Sequence, residues 1–274
     1  MSIDDLLAAT RLPRSDAEIL LAALLRVDRT WVLAHPEREL TPEETAQWSA
    51  WEKRRLRHEP IVYIVGEKEF YGRPFHVDRR VLVPRPATEG LVDVALACLN
   101  APSDSVIPID AGIGAVGRVV RKGDAKTVVD MGTGSGAIAV TLALERPDLH
   151  IIATDTSADA LEVAEANADR HGVSDRVTFL HGNLLEPVTH PREPFLLVSN
   201  PPYVQGGREL PADITDFEPH EAIFAGPEGM DVIRPLVKAA KAHPACLGFV
   251  MECEEGQAER IDHILRQSPH TNDQ

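Results

Sequence analysis

Cysteine is scarce in this sequence: Cys98, Cys246 and Cys253 are the only three among 274 residues. They are too few and too scattered for a disulfide framework or a zinc site, so no metal is expected. Long apolar runs are missing too. None approaches the roughly 18 residues that a membrane span requires. The N-terminus, Met1-Ser2-Ile3-Asp4-Asp5, lacks the basic-then-apolar order of a signal peptide. Basic charge is in deficit, with 28 Lys and Arg against 43 Asp and Glu and a formal net charge of −15. That balance disfavours duplex DNA as the main ligand, because neutralising phosphates favours a basic protein. The expectation is a reduced, cytoplasmic, globular protein with no direct nucleic-acid or membrane partner.

What is present is unevenly placed. Residues 1–124 carry 17 basic and 19 acidic side chains, whereas residues 125–274 carry 11 and 24. This asymmetry suggests two domains. The strongest basic run, Lys53-Arg54-Arg55-Leu56-Arg57, reads first as a solvated helix face and second as a patch for an acidic partner.

Residues 1–58 read as a small helical domain. Ser15 and Glu18 have capping-box spacing, and Thr41-Pro42-Glu43-Glu44 opens another helix. Residues 59–84 read as a β-hairpin linker, with Ile61–Val65 β-rich and Phe75–Val77 and Val81–Val83 as short strands. Thr88-Glu89 opens an apolar helix. A loop insertion of about 100–124 contains Gly112-Ile113-Gly114-Ala115-Val116-Gly117, a weak G-x-G-x-x-G match best read as part of a flexible insertion. From residue 127 onward, strands and helices alternate, which predicts a parallel sheet covered on both faces.

Three constellations carry chemistry. The first is Asp130-Met131-Gly132-Thr133-Gly134-Ser135-Gly136, between a strand and a helix. Glycines at a first β–α turn let the backbone approach a nucleotide closely. The spacing fits neither a dinucleotide turn nor a phosphate loop, and Asp130 suits a cationic ligand. The second is Asp155, ending the next strand, where a carboxylate accepts both hydroxyls of a ribose. Asn183 ends the third strand. Together they form the pattern of S-adenosylmethionine-dependent methyltransferases, a Rossmann-like α/β fold. The third is Asn200-Pro201-Pro202-Tyr203 after strand four. The prolines fix the backbone, and the Asn200 oxygen and nearby carbonyls are acceptors for an NH2 donor. That arrangement suits methylation of a conjugated nitrogen: a glutamine amide, adenine or cytosine.

The chain resembles the HemK/PrmC family, which methylates the glutamine of the Gly-Gly-Gln motif in peptide chain release factors. The resemblance runs from about residue 5 to about 267. It rests on Asp16–Leu21, Glu59–Gly66, Phe70-Tyr71-Gly72, Val83–Glu89, the glycine loop, Asn200–Tyr203, Glu218-Pro219 and the Glu252…Gly256-Gln257 end. It implies a Rossmann-like methyltransferase sheet over 85–274, with a helical N-terminal domain that docks the release factor. It implies that Gly132, Thr133, Gly134, Ser135 and Gly136 wrap the methionine part of S-adenosyl-L-methionine. Asp130 and Asn200 join that cofactor set, Asp155 holds the ribose, and Asn183 and Leu184 lie beside the adenine. By the same resemblance, Asn200, Pro201, Pro202 and Tyr203 are catalytic and hold the glutamine amide. Arg85, Pro86, Thr88 and Glu89 line or brace the substrate pocket. A monomer is favoured.

Three departures stand out. Ala87 and Asn183 replace the family's usual aspartates, and the C-terminal hairpin of the family is apparently absent, which predicts an exposed sheet edge. Two alternatives stay open: a nitrogen methyltransferase acting on another protein glutamine or a small molecule, and a cofactor-binding, non-catalytic paralogue.

Overall fold

In the computed structural model, residues 1–101, 115–119, 125–189 and 193–267 are described. The chain divides into two units, Met1–Glu67 with Leu210–Glu218, and Lys68–Glu209 with Pro219–Gln274. The expected linker, 59–84, is thus shared between them.

The first unit is helical: α1 (Ile3–Ala9), α2 (Arg14–Leu25), α3 (Arg29–Ala34), α4 (Pro42–Arg55) and α5 (Ile61–Val65), with α9 (Ala212–Thr215) from the later segment. Capping boxes start α1 at Ser2 with Asp5 and α4 at Thr41 with Glu44. Ser15 is not a cap. α2 begins one residue earlier, after Pro13, and Glu18 is buried, held by Arg14 and Arg29. Ile61–Val65 is a helix rather than a strand. Pro60 precedes it, and Gly66 closes it with φ 82°. A core of Ile3, Leu6, Leu20, Leu21, Val32 and Trp48 fills the unit.

The basic run is only partly a surface. Arg54 forks onto both oxygens of the buried Glu59 carboxylate at 2.8 Å and donates to the Tyr63 carbonyl at 3.0 Å. Arg55 donates to Asp16 at 2.7 Å and to the Glu59 carbonyl at 3.2 Å. These two cations staple α4 to α2 and α5. Lys53 and Arg57 are the exposed basic members.

The second unit begins with strands β1 (Glu67–Phe70) and β2 (Arg73–His76), joined through Tyr71 and Gly72 at φ 52° and 71°. Two consecutive left-handed residues are what a tight hairpin turn demands. Val81–Val83, expected as a strand, is irregular with a bend at Val81, and the side chains of Val81 and Val83 are buried. Helix α6 (Pro86–Asn100) follows.

The main sheet holds β3 (Ala115–Val119), β4 (Thr127–Met131), β5 (His150–Asp155), β6 (Val177–His181), β7 (Phe195–Ser199) and β8 (Cys246–Glu252), in the order β3-β8-β7-β4-β5-β6. Only β3 is antiparallel. Strand alternation divides the core in two. Val128, Ile151, Leu196, Val198 and Val250 face one side, with Leu91 and Val92 of α6 and Ile138 and Leu142 of α7 (Ala137–Glu145). Val129, Leu197, Phe249 and Met251 face the other, with α10 (Ile233–Ala242) and α11 (Gln257–Arg266). Helix α8 (Ala158–Arg170) joins β5 to β6.

Two expectations about residues 100–124 change. Residues 102–114 and 120–124 lie outside the described residues, and with them the first half of the G-x-G-x-x-G run. Residues 115–119 form a strand, with Gly117 opposite Val250 and Ala115 opposite Glu252. The edge of β8 is therefore paired rather than exposed, which satisfies its outward N–H and C=O groups.

Candidate active site

The strand order reverses at β4, which lies between β5 and β7. In open α/β sheets, a crevice for ligands forms outside the carboxyl ends of the strands at such a point. A cavity of about 150 Å³, open to solvent, lies there, and Gly132, Gly134, Asp155, Asn183, Leu184 and Asn200 are in its wall.

The glycine loop leaves β4 and folds back onto β5. Gly132 and Thr133 both donate their amides to the Thr154 carbonyl, at 2.8 and 3.0 Å. Gly132 and Gly134 have φ of 70° and 54°, and no atom lies within 4 Å of where a Cβ would stand. A side chain there would project into open space and strain the backbone. Gly136, at φ 76°, serves differently: a Cβ there would stand 3.1 Å from Ala164 of α8, so its absence lets the two helices pack close.

Asp155 is held by two amides. Gly134 donates to Oδ2 and Ser157 to Oδ1, each at 2.9 Å. Each oxygen retains acceptor capacity toward the cavity. Ser157 caps α8 through its own hydroxyl, which accepts from Ala160 at 3.1 Å, so Asp155 is not needed as the cap. On the far wall, Leu184 is left-handed at φ 51°, a conformation a branched side chain adopts only at a cost of about 1–2 kcal/mol.

The other loop residues lie behind this surface. Asp130 is fully buried; its Oδ2 accepts from Thr133 Oγ1 at 2.6 Å and from the Ala139 amide at 3.2 Å, while Oδ1 has no partner. Burial raises its pKa to about 7, against the lowering effect of those two donors, and Asp155 adds to the rise. Thr133, Ser135 and Gly136 are buried and not among the residues lining the cavity.

The Asn200-Pro201-Pro202-Tyr203 segment leaves β7, with Asn200 and Pro202 in the cavity wall. Asn200 Nδ2 donates to Thr88 Oγ1 at 3.1 Å, and Thr88 donates to Glu252 Oε2 at 2.8 Å. Tyr203 donates to Glu252 Oε1 at 2.9 Å. Burial first, and the Glu252 carboxylate second, push the Tyr203 phenol well above its ordinary pKa, so it stays a donor. Behind it, Gln257 Nε2 donates to the Tyr203 and Gly229 carbonyls, at 2.9 and 3.1 Å.

Among the substrate residues implied by resemblance, Thr88 thus reaches Asn200, while Glu89 does something else. Its Oε1 accepts from the Tyr71 amide at 2.9 Å, bracing the hairpin turn. Arg85 precedes α6 and Pro86 is its exposed first residue. Neither lines the cavity.

Sequence reasoning missed several supports. Glu252 and Gln257 enter the sequence reading only as positions of the resemblance, although an acid at the carboxyl end of a strand is itself a signal. Asn167 gave none. It is fully buried in α8, accepts from the His76 amide at 2.7 Å, and donates to the carbonyls of His76 and Ser135, both at 2.9 Å. It ties the hairpin to the glycine loop.

A glycine-lined crevice at the strand ends, with a carboxylate ending the neighbouring strand, is a nucleotide-cofactor site of the Rossmann-like class, and the family match and relatives below make it that of a methyltransferase. Consistent with that fold, the hMettl16 catalytic domain solved with a 3′UTR hairpin superposes with a TM-score of 0.52 at 13% identity, over 85% of this chain and 74% of that one. The family model described as Methyltransferase small domain matches residues 105–217, and PrmC N-terminal domain matches residues 3–66. A release factor glutamine methyltransferase of Koribacter versatilis is 40% identical, over 94% of this chain and 85% of its own length. One from Coxiella burnetii is 36% identical, over 95% and 86%. A bifunctional methyltransferase of Rickettsia bellii is 36% identical over 92% of this chain, which spans 47% of that longer protein. The chain belongs to the release factor glutamine methyltransferase family.

Proposed function

We propose that this protein methylates the side-chain amide nitrogen of the glutamine in the Gly-Gly-Gln motif of a peptide chain release factor. The observation that carries this reading is the amide of Asn200, bonded through Nδ2 to Thr88 in a cavity wall it shares with the glycine loop and Asp155.

The donor is S-adenosyl-L-methionine, and the site fits it. The open space over Gly132 and Gly134 suits a ligand that approaches the backbone closely, and Asp155 has acceptor capacity for two ribose hydroxyls. Asn183 and Leu184 stand on the adenine side. When bound, the cofactor supplies an electrophilic methyl group on a sulfonium.

The chain's own residues then have a defined task. An amide nitrogen is a poor nucleophile because its lone pair is delocalised into the carbonyl. Asn200 Oδ1 accepts from one N–H of the glutamine amide, which orients the nitrogen and favours the positive charge that develops on it. Pro201 and Pro202 hold the carbonyls of this segment rigid, so the acceptors need no reorganisation. The nitrogen becomes strongly acidic once alkylated, so no strong base is required.

The helical unit is the docking element in this reading, with Lys53 and Arg57 the exposed cations of its basic run. The acidic second half argues against nucleic acid as the substrate. Among the described residues, no helix is long and apolar enough to cross a membrane; we place the protein in the cytoplasm, where release factors act. Asn200→Ala tests the role of the amide: transfer should fall about 100-fold or more while cofactor affinity holds within a few-fold. Unchanged turnover would remove Asn200 from the mechanism.

A further inference from the structure

Glu252 ends β8 with its side chain buried, and nothing in the methyl-transfer chemistry above requires an acid there. Its two oxygens are nonetheless both used within the second unit. Oε2 takes the Thr88 hydroxyl proton at 2.8 Å, and Oε1 takes the Tyr203 phenol proton at 2.9 Å. Thr88 and Glu252 are 4% and 5% exposed, so water does not compete for these bonds.

A count of protons gives this arrangement a direction. Threonine has one hydroxyl hydrogen. That hydrogen is committed to Glu252 Oε2 and is not available to Asn200. The Thr88 oxygen then has only lone pairs left for Asn200. Those lone pairs bond an N–H, not a carbonyl, so Nδ2 of Asn200 turns toward Thr88 at 3.1 Å. Oδ1 is thereby left for the site. An asparagine amide has nearly the same shape in either orientation, and packing alone discriminates weakly between them.

We propose that Glu252 is a positioning residue: through the single proton of Thr88 it sets which end of the Asn200 amide faces the substrate, and through Tyr203 it anchors the other end of the same segment. The inference rests on the reading of Asn200 as an acceptor for the glutamine amide. Replacing the carboxylate by a carboxamide breaks the logic, because glutamine offers one acceptor and one NH2 where two donors wait. If its NH2 meets Thr88, the Thr88 proton turns to Asn200 and the Asn200 amide inverts. If it meets Tyr203, the phenol loses its acceptor.

The experiment compares wild type, E252Q, T88V and T88S in the full chain by three readouts: kcat and KM on a release factor, affinity for S-adenosylhomocysteine, and the Asn200 side-chain NH2 resonances in 15N-labelled protein. E252Q and T88V should lose about tenfold or more in kcat, with cofactor affinity within about threefold and the Asn200 resonances displaced. T88S restores the hydroxyl and should recover most of what T88V loses, in both kcat and resonance position. A purely structural role predicts the reverse order, since valine matches the shape of threonine and serine leaves a gap. Asn200 resonances and kcat unmoved in T88V would overturn the proposal. If wild type transfers methyl to no release factor, the functional reading fails, while the Asn200 resonances still decide whether Glu252 orients the amide.

Discussion

Gly229 lies so close to the carbonyl of Tyr203 that an added Cβ would stand 2.2 Å from that oxygen and 2.7 Å from Gln257 Nε2. The backbone at Gly229 is also left-handed, at φ 68°. No side chain fits without moving the segment that carries Asn200 and Tyr203. Gly229→Ala should therefore cost about 1–3 kcal/mol in stability and reduce transfer by more than that loss of folded protein explains. Urea unfolding together with turnover at a temperature where the variant is folded checks this. Full activity would show that the segment tolerates the shift.

Asn167 makes three hydrogen bonds from a fully buried position, two to His76 and one to Ser135. Asn167→Ala removes all three of these bonds, to the His76 amide and to the carbonyls of His76 and Ser135. The expected loss is about 2–4 kcal/mol, accompanied by weaker cofactor binding because the glycine loop loses its tie. Calorimetric titration with S-adenosylhomocysteine, beside a denaturant curve, separates the two effects. Wild-type affinity would mean that the loop holds its shape without Asn167.

Asp130 sets a pH dependence. Its pKa is near 7 when folded and close to 3.8 when unfolded, with burial the main cause. The folded state therefore holds a proton that the unfolded state has released between about pH 4 and pH 7. Stability contributed by this group is present below about pH 4 and declines as pH rises through 7, by up to about 4 kcal/mol. Asp130→Asn keeps an acceptor for Thr133 and Ala139 and cannot ionise. The variant's urea midpoint relative to wild type should rise between pH 5 and pH 8 in cofactor-free protein. A parallel pair of pH profiles would show that Asp130 stays charged, or stays neutral, throughout.

Arg54→Ala should destabilise the helical unit by about 3 kcal/mol, because it leaves the Glu59 carboxylate buried without its fork of donors. A lysine, with one ammonium in place of two parallel N–H groups, should recover only part of the loss. Thermal melts of the three proteins give the order. An alanine variant as stable as wild type would return Arg54 to the solvent-exposed face.

The second unit was legible because its elements obey local rules. The strand ending in Asp130, the glycines after it and the acid at Asp155 are all short-range patterns, and they fall at the switch point the alternation of strands and helices implied. Errors came where flanking residues or a competing partner overrule propensity and spacing. Ile61–Val65 is rich in β-branched residues, yet Pro60 and Gly66 bracket it as a helix. Ser15 and Glu18 had the spacing of a cap, but Glu18 is taken by Arg14 and Arg29. In the site, Asn200 and Tyr203 stand out in a local motif, and Thr88 is reached by the resemblance alone. The bonds of Thr88 to Asn200 across 112 residues, and of Glu252 to Tyr203 across 49, follow no local pattern. Contacts at that separation exist only once the sheet has brought β7 and β8 side by side.

The most direct measurement is mass spectrometry of the Gly-Gly-Gln peptide from a release factor incubated with this protein and S-adenosylmethionine. The account predicts the mass of one methyl group added, located on the glutamine side chain, and its loss when Asn200 is replaced by alanine. An unmodified glutamine in the presence of tightly bound cofactor, or a methyl group on any other residue, would contradict it.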